Sequence, residues 1–187
     1  MEEPPTRPRW RLRAEVPIAL VVGGTVGLAA FWWFASIYLG AAVTADDLLD
    51  YCAAVASLAQ DRPDAFPAKR ARLPALLPWA LAPHLGVFDA LLASAVLGTA
   101  MCGAGLYLWG SALASRLAGF TAAASMLTMA PMVMQARMPS FYATINGLLA
   151  ISAGLTAAAV RTGRPLHYAA ASTAVGLALL ADVRSLI

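Results

Sequence analysis

Two groups of residues have types and spacings suited to chemistry. The first is the acidic run Asp46-Asp47-Leu48-Leu49-Asp50-Tyr51, which follows a long apolar block. A carboxylate held at a bilayer surface is partly desolvated by the headgroup layer, and its proton affinity can be tuned for general-base work. Adjacent carboxylates favour each other's protonation, and a helix N-terminus opposes it. Acids in a helix's first turn are also ordinary caps and dipole complements, so the spacing alone leaves catalysis and capping both open. The second group is basic: Lys69, Arg70 and Arg72 precede a proline-rich stretch, and Arg137 lies far downstream. Guanidinium groups at a membrane surface can grip a phosphate or pyrophosphate whose lipid tail stays in the bilayer. The same residues could instead anchor helix ends or touch anionic headgroups.

Other ionisable or sulfur-bearing residues carry less. Asp89 and Asp182 fall near predicted interfaces, where solvation is cheap, although an acid at membrane depth would be a functional candidate. His84 and His167 have no other ligand-type residues around them and read as interfacial. Met126, Met129, Met132, Met134 and Met138 read as core packing, because Met fills irregular gaps. Cys52 and Cys102 show neither CxxC nor zinc-ligand spacing, which argues against a structural disulfide or metal site. Walker, Gly-rich dinucleotide and HExxH sequences are absent, so nucleotide chemistry has no support.

The elements that must position these residues are set by the lipid. Of the 187 residues, 60% are apolar and 12% charged, and the mean hydropathy is +0.70, values far from those of a water-soluble domain. Val16 to Val43 and Ala90 to Ser115 contain no charge at all. Each block is long enough to span a hydrocarbon core of about 30 Å at about 1.5 Å per residue. The expected fold is therefore an all-α, polytopic transmembrane bundle. Residues 1–15 form a basic cytoplasmic tail. Residues 16–43 form a retained first span, longer than a signal-peptide core, ending in the aromatic belt Phe31, Trp32, Trp33, Phe34 and Tyr38.

Residues 44–84 then form an extracytoplasmic loop. Its part from 44 to 72 holds five aspartates and four basic residues. Apolar positions from Asp46 to Gln60 predict an interfacial helix. Leu73 to His84, broken by Pro74, Pro78 and Pro83, predicts a second interfacial or re-entrant piece. Residues 85–187 hold about four further segments: Val87 to Leu108, Leu117 to Met134, Phe141 to Val160 and His167 to Leu180. Alternate threading puts the N-terminal arginines, Arg116, Arg161 and Arg164 on one side, and the acidic loop, Arg137 and the Asp182/Arg184 end on the other. That distribution obeys the positive-inside rule. It also makes the formal charge of +3 a topology signal rather than a nucleic-acid footprint.

The order of these features resembles the N-terminal part of the GT-C-type membrane glycosyltransferases, which include the protein O-mannosyltransferases and the lipid A aminoarabinose transferases. The resemblance is carried by Ala45-Asp46-Asp47-Leu48-Leu49-Asp50-Tyr51-Cys52-Ala53-Ala54 after an opening span, and by the basic approach to Arg72-Leu73-Pro74-Ala75-Leu76-Leu77-Pro78. Later matches are Leu106 to Gly110, Ser115 to Gly119, Ala130-Pro131 to Arg137 with Phe141-Tyr142, and the closing Gly176 to Arg184. It implies a sugar transferase acting at the extracytoplasmic face of a plasma or bacterial inner membrane, with a polyprenyl-phosphate sugar as donor and a protein, lipid or glycan as acceptor. Asp46 would match the first member of the family's acidic pair, with Asp47 where Glu is commoner. Arg72, Arg137 and Arg70 would hold the donor phosphate. No firm cofactor is implied; a divalent metal stays open. Family members are more than twice this length, so the chain would be their N-terminal portion or a shortened relative.

Two other readings make different demands. A non-enzymatic membrane subunit should expose a face of small residues to its partner. A transporter fragment should carry a carboxylate near the bilayer midplane, with broken helices around it.

Overall fold

The structure, a computed structural model, describes residues 11–37, 45–62, 67, 73–138 and 141–181; for 34–37, 45–48 and 181 it describes the backbone alone. The described residues are helical and include no strand. In order they are α1 (Leu12–Ile37), α2 (Ala45–Ala59), a 3-10 turn (Leu73–Ala75) running into α3 (Leu76–Leu85), α4 (Val87–Leu113), α5 (Arg116–Ser125), a second 3-10 turn (Met126–Thr128), α6 (Ala130–Gln135), α7 (Tyr142–Thr162) and α8 (Pro165–Ala181). Leu12–Trp33, α4 and α7 are long and apolar enough to cross a membrane, and we read the chain as an all-α membrane protein.

The bundle is built around α4, which packs against α1 on one face and α7 on another, with α8 beyond α7. Such close packing needs small residues, because lipid tails supply no hydrophobic drive for helix association. On the α4–α7 seam, Gly98 and Gly105 are seven apart, as are Gly147 and Gly154, the repeat that keeps one face of each helix turned to its partner. A Cβ on Gly98 would strike the Ala143 backbone, and one on Gly105 the Ala150 carbonyl. One on Gly147 would lie 2.6 Å from the Gly98 oxygen, and one on Gly154 2.7 Å from the Gly105 oxygen. On the other face, Gly23 and Gly27 of α1 receive Ala100 and Ala104, while Gly103 receives Val26.

Polar groups along α4 are satisfied within the protein. Ser94, Thr99 and Ser111, all buried, donate to the carbonyls of Leu91, Ala95 and Leu108, as hydroxyls must where water is absent. At the C-terminal end of α4 the guanidinium of Arg161, on α7, donates to the carbonyls of Ser111 and Ala112. It thereby satisfies orphan acceptors and complements the helix dipole.

Turn chemistry separates the elements. Gly86, at φ 81°, ends α3 and redirects the chain into α4, a conformation that costs glycine little. Ser115 caps α5 by accepting from the Ala118 N–H at 3.2 Å. Gly163, at φ 64°, ends α7, and Pro165 opens α8, the usual C-terminal glycine and N-terminal proline asymmetry.

The expected segments Val87 to Leu108 and Phe141 to Val160 lie along α4 and α7. Leu117 to Met134 is not one helix: α5 ends at Ser125, and Met129 is extended at φ −98° and ψ 102° before α6 begins. Pro131 is the reason, since it has no N–H to continue the ladder and fits only a first turn. Residues Pro165–Ala181, where the last segment was expected, form a 17-residue helix, short of the roughly 20 residues of a full span. The proline-broken stretch folds as the 3-10 turn and α3, with Pro78 buried.

Candidate functional site

The carboxylate-bearing helix is docked onto one end of the bundle. Tyr51, Ala54 and Val55 of α2 are buried with Ala75, Leu91 and Phe141 in a cluster that joins α2 to α3, α4 and the start of α7. The rings of Tyr51 and Phe141 meet edge to face, with centroids 4.6 Å apart. Four residues before Phe141, the Arg137 guanidinium lies 4.8 Å from the Phe31 ring of α1, a cation–π contact. Beside it, Asn146 of α7 donates to the Gln135 side chain of α6 at 3.0 Å. Asp46 and Asp47 thus stand in the first turn of a helix anchored at the end that carries Arg137. The side chains of Asp46 and Asp47, and Arg70 and Arg72 altogether, lie outside the described residues, as does Asp182.

The remaining candidates separate. Asp89 is exposed in the first turn of α4, and His84 is exposed near the end of α3. His167 is 7% exposed and bonded to Thr162 at 2.8 Å. The Thr162 hydroxyl donates to the Ala158 carbonyl, so its oxygen accepts from the His167 Nδ1–H. A residue in a helix's first turn is buried here because α8 folds back on α7. Met126 and Met132 pack around Tyr107 as the core reading expects, whereas Met129 and Met134 are exposed. Burial pushes the Cys52 thiol up, which keeps it protonated and poorly nucleophilic at neutral pH. Among the described residues, no three His, Cys, Asp or Glu side chains converge as metal ligands.

The most developed polar network is at the opposite end and involves a residue that sequence reasoning passed over. Glu15 is 3% exposed. Its carboxylate accepts from the Tyr107 hydroxyl at 2.7 Å and from Arg116 Nη2 at 2.9 Å and Nε at 3.1 Å. The network ties the start of α1 to the last turns of α4 and the first residue of α5. The hydrogen bond that Arg116 donates to Glu15, reinforced by the carboxylate's charge, holds the Arg116 guanidinium above its ordinary range. A usable signal existed: Glu15 is the last charge before the first apolar block, and an acid at a span's edge needs a named partner.

This network makes a stability prediction. Arg116→Gln should lower the thermal midpoint in detergent, because it strands a buried carboxylate. Adding Glu15→Gln should bring the midpoint back toward wild type, since the pair then carries no uncompensated charge. A double variant no more stable than Arg116→Gln alone would show that the two residues are not coupled.

No family model matches the chain, and neither a curated protein nor a solved structure matches it.

Proposed function

We propose that this chain is the N-terminal portion of a GT-C-type membrane glycosyltransferase that moves a sugar from a polyprenyl-phosphate donor to an acceptor at the extracytoplasmic face. The observation that carries the reading is the docking of α2, with Asp46 and Asp47 in its first turn, onto the bundle end where Arg137 is held. A candidate base and a candidate phosphate-binding cation on elements at one end of the bundle support that reading. Asp46 or Asp47 takes the proton from an acceptor hydroxyl or amine. The freed lone pair attacks the anomeric carbon, a new glycosidic bond forms, and the bond to the lipid phosphate breaks. Arg137, with Arg72 and Arg70, stabilises the departing phosphate. The orientation follows from the arginines: those at the Glu15 end face the cytoplasm of a plasma or bacterial inner membrane.

Two features disfavour the other readings. The small residues of α1, α4 and α7 are largely spent on contacts inside the bundle, whereas a subunit needs such a face outward. The described acids of the three long apolar helices are Glu15 and Asp89, each in a first turn, whereas a transporter needs one at mid-membrane.

The test is transfer of radiolabelled sugar from polyprenyl-phosphate donors in membranes carrying the full-length gene product. Wild type should transfer, and Arg137→Gln should raise the donor KM by roughly tenfold or more, the worth of a charge-assisted phosphate contact. No transfer from any such donor would overturn the proposal.

A further inference from the structure

We infer that the bundle end bearing Glu15 is a binding surface for anionic phospholipid headgroups, a role independent of any transfer chemistry. The fold gathers arginines that are distant in sequence. Arg11 and Arg13 precede Glu15, Glu15 holds Arg116, and Arg161 caps the α4 terminus a few residues before Arg116. Arg164 follows Arg161 in the turn between α7 and α8. The one described acid among them is Glu15, and it is buried and already shared by Arg116 and Tyr107. It therefore offsets little of the field that Arg11, Arg13 and Arg164 project outward. Those three are exposed, and none pairs with a carboxylate among the described residues.

The surroundings select the occupant. Leu113, Leu117 and Leu166 stand exposed by 59%, 75% and 74% around the same helix ends. Guanidinium groups set beside outward-facing leucines match a phospholipid, whose phosphate takes the cation while its acyl chains cover the apolar side chains. A free phosphate would use the arginines and leave the leucines bare. Each arginine near an anionic surface is worth about a fivefold gain in local lipid preference at low ionic strength, and salt erodes it.

The experiment uses the purified full-length chain in nanodiscs of phosphatidylcholine and phosphatidylglycerol. Lipids retained by the protein are counted by native mass spectrometry. Wild type should retain phosphatidylglycerol at least several-fold above its bulk share, and the excess should shrink as salt is raised. Arg11→Gln/Arg13→Gln/Arg164→Gln should lose most of that excess, while the corresponding triple lysine variant should keep most of it. Retention at the bulk ratio in wild type, an unchanged excess in the glutamine variant, or equal losses in both variants would overturn the inference. So would equal thermal stabilisation of the detergent-solubilised protein by inorganic phosphate and by phosphatidylglycerol, which would assign the effect to the phosphate group alone.

Discussion

Gly105→Leu is expected to leave little correctly folded protein. The α-carbon of Gly105 abuts α7 so closely that even a methyl group would meet the Ala150 carbonyl, and the reciprocal glycine, Gly154, leans on the Gly105 oxygen. The obstacle is backbone on a long helix rather than the tip of a flexible side chain, so relief requires the two helices to separate. Separation would also loosen Gly98 against Ala143 one heptad away. Overpacking a tight core usually costs about 1–3 kcal/mol, and a clash with a rigid helix belongs at or above ~3 kcal/mol, a large share of a typical folding free energy. The measurement is the monodisperse fraction on size exclusion in detergent, followed by the thermal midpoint of what survives. Gly24 and Gly176 are the internal controls, because a Cβ there meets nothing within 4 Å. Gly24→Ala and Gly176→Ala should be neutral or slightly stabilising, as removal of an unneeded helical glycine generally is. Equal behaviour of Gly105→Leu and these controls would show that the α4–α7 seam does not support the fold.

Asp46→Asn should lower sugar transfer by about 10²–10⁴-fold, the usual worth of a positioned general base, with the protein still inserted and folded. Asparagine keeps the size of the side chain while the basic lone pair is lost. Asp47→Asn is the companion variant, and whichever of the two substitutions costs more identifies the base. Full transfer by both variants would remove α2 from the chemistry.

The docked position of α2 shows where reading along the chain stops. Apolar spacing from Asp46 to Gln60 announces a helix, and α2 runs from Ala45 to Ala59. Its buried stripe could have lain on lipid; that it lies on Ala75, Leu91 and Phe141 depends on contacts with segments far away in sequence. The broken stretch from Arg116 to Gln135 shows a second limit. Mean hydropathy there resembles that of a span, but hydropathy is blind to the backbone bond that Pro131 removes. His167 shows a third, since isolation from other polar residues in sequence says nothing about burial between two helices.

By itself the sequence determined the solvent and the helical class, because charge-free blocks of more than 25 residues have no satisfactory backbone arrangement in lipid other than a helix or a closed barrel. It also determined which residues could do acid–base or phosphate chemistry. Tertiary structure alone decided that Gly105 faces α7 while Gly24 faces open space, that Arg137 rests on Phe31, and that Glu15, Tyr107 and Arg116 meet across some 100 residues of chain. The physical reason is that hydropathy and helical period are local properties of the chain. A hydrogen bond or a helix seam depends on the distance between two segments, and only packing fixes that distance.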